Sequence, residues 1–258
     1  MIDRRGFMMA SSLTGVMALG TAAGEAAETA RDLYELRTYH LDTEDQQQGL
    51  VRFLGDAAIP ALNRLGVSPV GVFETPDAVG PVYVLLRHAS ADSVITTPAK
   101  LLADSAYLEQ GAAFLDAPAK NPAYARVESS LLLAFSGMPQ LAMPAKGPGR
   151  VFQLRIYESP SVKTGQKKIE MFNTAELVIF KKTGLTAVFF GEAMVGSKMP
   201  NLTYMLGFES DEEQKAAWDR FLQDPDWREL SARPEYANDR ILSGITNLPL
   251  RPAPCSQI

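Results

Sequence analysis

Apolar and polar side chains alternate along residues 33–40 and again along 151–158, as in strands with one face buried. After the first of these strands the period lengthens. Leu50, Phe53, Leu54, Ala57, Ala61, Leu62 and Leu65 recur at helical spacing and predict one helix with a single buried face. Gly66 and Gly184 stand where a left-handed residue would end such a helix, each preceded by basic residues that suit the end of the dipole. Short β-rich runs follow at 70–74 and 82–87, and at 187–191 and 203–208. A further helix opens on the capping box Ser210-Asp211-Glu212-Glu213, buries Ala217, Trp218, Phe221 and Leu222, and stops at Asp224-Pro225. Its counterpart starts at Ser90, contains Pro98 and runs on irregularly to Tyr124. Final strands are predicted at 126–135 and 240–248.

This order of elements occurs twice. Leu33-Tyr34-Glu35-Leu36-Arg37-Thr38-Tyr39 matches Val151-Phe152-Gln153-Leu154-Arg155-Ile156-Tyr157. At the same offset Asn63-Arg64-Leu65-Gly66-Val67 falls on Lys181-Lys182-Thr183-Gly184-Leu185. Two β-α-β-β-α-β runs predict an α+β chain of two ferredoxin-like repeats, residues 32–136 and 150–250. A Pro-, Gly- and Ala-rich linker at 137–149 joins them and a tail at 251–258 follows. In such a unit the helices cover one face of the sheet, and the other face needs a second sheet. The two sheets are therefore expected face to face, closing into a barrel within one chain.

Alternation separates Tyr34, Leu36 and Thr38 from Glu35, Arg37 and Tyr39, and Phe152, Leu154 and Ile156 from Gln153, Arg155 and Tyr157. The apolar sets suit the helices, so the arginine sets are expected to look towards the partner sheet. Arg37, Tyr39, Arg155 and Tyr157 would then share an interior, with Glu74 and Glu192 as ion-pair partners, because a buried guanidinium is costly unpaired. Two equivalent sets favour pairs that knit the sheets together; holding an anionic ligand is the competing reading. The two histidines, His40 and His88, end the first and third strands. Those strands are antiparallel neighbours, so the histidines belong at opposite ends, which argues against a shared metal site. Either alone could ligate haem or act as a base. The chain has no Gly-rich phosphate loop, G-x-S-x-G elbow or H-E-x-x-H, so no metal, cofactor or nucleophile is predicted.

Charge and the N-terminus bear on location and partners. Arg4-Arg5-Gly6-Phe7, a mildly apolar stretch and small residues near 20–27 read as a twin-arginine signal peptide over residues 1–28. Export to the periplasm or beyond is expected, with no transmembrane segment after removal of the signal. A formal net charge of −5 argues against nucleic acid or an anionic membrane as partner. Lys167, Lys168, Lys181 and Lys182 are expected on one solvated helix. Cys255 is the single cysteine, which excludes an intrachain disulfide, and it is expected in a flexible tail.

The segment Phe152-Gln153-Leu154-Arg155-Ile156-Tyr157, the helix to Gly184, Phe190-Gly191, Tyr204, Trp218 and Asp224-Pro225-Asp226-Trp227 resemble the NIPSNAP domain, and Tyr34-Glu35-Leu36-Arg37-Thr38-Tyr39 resembles its opening E-L-R-x-Y. Copy one has Asp104-Ser105-Ala106-Tyr107 in place of Asp-Pro-x-Trp. The resemblance implies a dimeric α/β barrel, here made within one chain, and no established activity. Neighbouring families include haem-binding proteins, haem-degrading enzymes and cofactor-independent monooxygenases. The expected function is that of an exported, non-catalytic small-molecule-binding or assembly protein, with a small apolar ligand and a homo-oligomer as the partners in view. The alternatives are a cofactor-independent monooxygenase or isomerase acting on a small aromatic compound, and haem binding through His40 or His88.

Overall fold

The computed structural model describes residues 30–76, 79–144 and 146–258. The proposed signal, with Arg4, Arg5 and Phe7, lies outside them. The first half runs β1 (Leu33–His40), α1 (Glu44–Phe53), a π-helical turn (Leu54–Ala58), α2 (Ile59–Arg64), β2 (Val70–Glu74), β3 (Val82–His88), α3 (Ala91–Leu102), α4 (Ser105–Leu115) and β4 (Arg126–Ala134). The second half runs β5 (Val151–Glu158), α5 (Val162–Met171), a second π-helical turn (Phe172–Glu176), α6 (Leu177–Thr183), β6 (Ala187–Val195) and β7 (Asn201–Phe208). It ends with α7 (Asp211–Gln223), α8 (Pro225–Ser231), α9 (Asn238–Ile241) and β8 (Gly244–Pro252).

The eight strands close into one antiparallel barrel in the order β1-β3-β2-β8-β5-β7-β6-β4. Each half keeps its own strands adjacent, and the seams are β4 against β6 and β2 against β8. The second seam is short, pairing Phe73 with Pro252 and Glu74 with Arg251. The chain beyond it extends the seam, Ala253 N–H donating to the Val72 carbonyl and Gln257 N–H to the Val70 carbonyl. The expected free tail is thus part of the wall. Ile258 is buried inside the barrel, and Cys255 packs against the first helical layer. The last strand starts later than predicted because residues 238–241 form a helical turn. The expected linker is also anchored: Asp32 N–H donates to Pro139 O, and Leu141 N–H to the Asp32 carboxylate.

Local chemistry explains the helix limits. Thr43, Ser90, Asp104, Ser161 and Ser210 each accept a backbone N–H at the start of a helix. Ser210 caps α7 as expected, whereas the Glu213 carboxylate reaches Arg220 at 2.6 Å. Gly184 ends α6 at φ 85°, a conformation that costs other residues strain. In Asp224-Pro225-Asp226-Trp227 the aspartate accepts from the Asp226 and Trp227 N–H groups, and the proline takes the first helical position. Trp227 then packs on Phe221 with ring centroids 4.3 Å apart. That motif is a helix start with a packing anchor.

Among the described residues three apolar clusters form the core. Tyr34, Leu36, Phe73, Leu85, Phe152, Leu154, Phe189 and Met205 fill the barrel interior. Tyr39, Leu50, Phe53, Val72 and Val84 lie under the helices of the first half; Tyr157, Phe172, Phe180, Phe190 and Tyr204 lie under those of the second. The expected orientation of the strands is therefore reversed. The apolar sets line the barrel and the arginine sets face the helices.

Candidate functional site

β1 and β5 stand opposite each other in the ring of eight strands, and their arginines point outward. Arg37 with Tyr39, and Arg155 with Tyr157, therefore occupy two separate helix–sheet layers and share no interior. Their expected carboxylate partners are elsewhere: Glu74 accepts from Gln47 Nε2 at 2.7 Å, and Glu192 accepts from Gln166 Nε2.

In the first layer Arg37 grips its neighbour on the same strand face. Its Nε and Nη2 donate to Glu35 Oε1 and Oε2 at 2.7 and 3.0 Å, a bidentate pair. Ser129 Oγ, from β4, donates to Glu35 Oε1 at 2.9 Å. His88, at the end of β3, is 0 % exposed; its Nε2 lies 3.5 Å from Glu35 Oε2, and its Nδ1 lies 2.9 Å from Ser93 Oγ on α3. Burial alone would raise the Glu35 carboxyl, but the polar contacts from His88, Arg37 and Ser129 outweigh it and hold the group at about 2. Burial pushes the Tyr39 hydroxyl up, and the facing Arg37 charge offsets only part of this. Tyr39 is therefore a proton donor at neutral pH.

The second layer has the same frame and different chemistry. Gln153 replaces the carboxylate and accepts from Trp218 Nε1 at 2.8 Å. Phe208 stands opposite Val151, as His88 stands opposite Leu33. The Arg155 guanidinium lies over the Trp218 and Tyr157 rings at 4.7 and 5.3 Å. Tyr204 donates to the Tyr157 hydroxyl at 2.9 Å. Lys168, expected in solvent, is 1 % exposed and donates to Glu176 Oε2 at 2.9 Å from beneath the π-helical turn. Burial raises the Glu176 carboxyl, while Lys168 and Arg155 partly offset the effect. This layer is packed with rings, the centroids of Phe172, Phe180, Phe190 and Tyr204 lying within 6.0 Å of one another.

Hollows of about 360 and 530 Å³ lie in the second half, beside Phe180 and along α5 at Lys163, Gln166 and Glu170, and a cleft lined by stacked rings lies in the first. It measures about 490 Å³ between α1, the following π turn, α4 and the loop at 117–123. Phe53 and Phe114 line it, their rings stacked at 4.2 Å and 6°. Gln46, Arg52, Asp56, Gln110 and Asn121 form its rim. Gly49, on α1, also lines it, and a Cβ added there would meet nothing within 4 Å. Phe114 leads to Tyr124 and Tyr124 to Tyr39, at 5.8 and 5.5 Å between centroids. In the second half α5 is covered by α9 and by Tyr236, whose hydroxyl donates to Glu170 at 3.2 Å. The gap at the polar end of the barrel, beside Thr38, Tyr83 and Thr203, is only about 60 Å³, too small for an organic ligand.

His40 and His88 lie at opposite ends of β1. His88 is a poor fit for haem iron, because both ring nitrogens face side chains in a filled layer. His40 Nε2 sits 3.6 Å from Glu128 at the other end. Sequence reasoning missed Ser93, Ser129 and the Lys168–Glu176 pair, which meet their partners only through tertiary contacts. Gly49, just ahead of the predicted helical face, lies inside α1, where glycine costs about 1 kcal/mol.

Residues 152–257 match the NIPSNAP family. No curated protein matches the chain. Solved structures match over nearly its whole described length. A provisionally named monooxygenase from Lactobacillus acidophilus NCFM is 11% identical, covering 86% of this chain and 94% of its own, at a TM-score of 0.59. Another from Fusobacterium nucleatum subsp. nucleatum ATCC 25586 is 8% identical, covering 87% and 94%, at 0.58. An anthrone oxidase-like protein is 8% identical, covering 88% and 95%, at 0.53. What they share with this chain is the fold, a closed eight-stranded antiparallel barrel clad in helices.

Proposed function

We propose that this chain is an exported small-molecule-binding protein whose first half holds a small aromatic ligand between α1 and α4. The observation that carries the reading is the cleft itself: stacked Phe53 and Phe114, a polar rim, and Gly49 leaving the space open. A planar ring extends the stack, and hydroxyl or carbonyl groups meet the amides of Gln46, Gln110 and Asn121. If the two halves are products of a duplication, the matching face of the second half keeps a hollow along Lys163, Gln166 and Glu170 but lacks the stacked rings of the first.

Isothermal titration of the full chain with 2-naphthol and with anthrone tests it. Wild type binds at least one of them. Phe114→Ala weakens binding roughly tenfold, and Gly49→Leu, which fills the cleft without strain, removes binding while the melting temperature holds or rises. No binding by wild type, or equal binding by Gly49→Leu, overturns the proposal. A catalytic reading of the same cleft has one observation in its favour, the line from Phe114 through Tyr124 and Tyr39 to Arg37 and Glu35. Oxygen uptake with anthrone that depends on the chain and falls in Tyr39→Phe would put oxygenation in place of simple binding.

A further inference from the structure

We propose that Ser93, His88 and Glu35 form a second site, independent of the cleft, in which Ser93 is a nucleophile for the acyl group of small esters. The three side chains come from α3, β3 and β1: Ser93 Oγ lies 2.9 Å from His88 Nδ1, and the buried His88 Nε2, which makes no hydrogen bond, lies 3.5 Å from Glu35 Oε2. An anionic Glu35 draws the imidazole proton to Nε2, which leaves Nδ1 as an acceptor. The Ser93 hydroxyl then donates to Nδ1, the arrangement of a serine beside an oriented base. The carboxylate contact stands at ion-pair distance, and catalytic contacts that are long without substrate commonly shorten when it binds. Arg37 and Ser129 fix Glu35 from behind, so the base is held by groups that are themselves held.

Access agrees with this role. His88 is fully buried, whereas Ser93 is partly exposed in the first turn of α3. The Ala91 and Asp92 N–H groups share that turn and have no carbonyl one turn earlier in the helix, so they are available to an acyl oxygen. In the reaction, Ser93 Oγ attacks the ester carbonyl carbon and its proton passes to His88 Nδ1. The bond to the alcohol breaks, and the alcohol leaves with that proton. Water then attacks the acyl-serine, giving its proton to His88, and Ser93 and the carboxylic acid are released. The second half carries Gln153 and Phe208 at the matching register positions, so the fold itself does not demand the set.

Labelling the full chain with a fluorophosphonate, followed by intact mass and peptide mapping, tests the proposal. Wild type gains a single adduct on Ser93 and releases a burst of p-nitrophenol from p-nitrophenyl acetate. Ser93→Ala loses both, and His88→Phe slows labelling roughly a hundredfold. No adduct on wild type, an adduct on another residue, or an unchanged rate in His88→Phe overturns it. Should His88→Phe fail to fold, Glu35→Gln decides, because it keeps the serine–imidazole contact: slower labelling supports the site and an unchanged rate overturns it.

Discussion

Glu35 and Gln153 hold matching places on β1 and β5, and one unit of charge separates the two layers. Gln153 takes a single N–H from Trp218, while Glu35 gathers Arg37, Ser129 and His88 around it. The carboxyl moves from an ordinary 4.5 to about 2 on folding, so the folded state binds its proton less tightly than the unfolded chain. The resulting stability is complete above about pH 4.5 and is lost as pH falls towards 2, a contribution on the order of 3 kcal/mol. Glu35→Gln is expected to flatten the acid limb of stability across that window in urea titrations. A limb as steep as in wild type would mean that other carboxylates carry it. At this scale the sequence was informative about grouping and misleading about direction. Alternation places Glu35, Arg37 and Tyr39 together, as found, but both faces of β1 are buried, one in the barrel and one under helices. Period alone cannot tell the two apart. Choosing the helix side by apolarity failed because the barrel interior is the more uniformly apolar place.

The first long helix of each half shows what periodicity hides at the scale of an element. Helical spacing from Leu50 to Leu65 predicted one regular helix, yet π-helical turns interrupt the helices of both halves at corresponding places, Leu54–Ala58 and Phe172–Glu176. A π turn widens the helix by one residue and leaves the apolar face nearly intact, so the pattern survives it. In the second half that turn presents Glu176 to Lys168; the first half has Ala58 and Leu50 at those positions. Replacing both members, Lys168→Leu with Glu176→Ala, is expected to leave stability within about 1 kcal/mol or raise it, because desolvation of the pair cancels most of its attraction. Lys168→Leu alone is expected to cost about 3 kcal/mol at pH 8 and less at pH 5. The sign follows from Glu176: its pKa is raised in the folded chain, so folding favours its protonated form and stability falls as pH rises. A double-mutant cycle showing additive losses would remove the argument.

At the scale of the molecule, closure depends on two seams of unequal strength. β4 and β6 pair through four positions, whereas β2 and β8 pair through two and then rely on the chain beyond Pro252. Val70 N–H donates to the Gln257 side chain, Val72 N–H to Ser256 Oγ, and the Gln257 N–H to the Val70 carbonyl. Ile258 meanwhile inserts into the barrel beside Gly71, where an added Cβ would come within 3.1 Å of its side chain. The sequence offered a short, polar, proline-bounded stretch, and such composition reads as a tail; its neighbours in the fold, which lie more than a hundred residues away, make it a clamp. Removing residues 253–258 exposes the β2 edge and forfeits burial of Ile258, a loss of about 3 kcal/mol from the apolar term alone. The truncated chain is expected to unfold at lower urea, with β2 amides exchanging faster while β5–β7 amides keep their protection relative to global unfolding. Ile258→Ser separates the two contributions, since it keeps the backbone bonds and removes only the plug. If that substitution matches the full truncation, the interior plug closes the barrel; if it costs little, the hydrogen-bonded edge does.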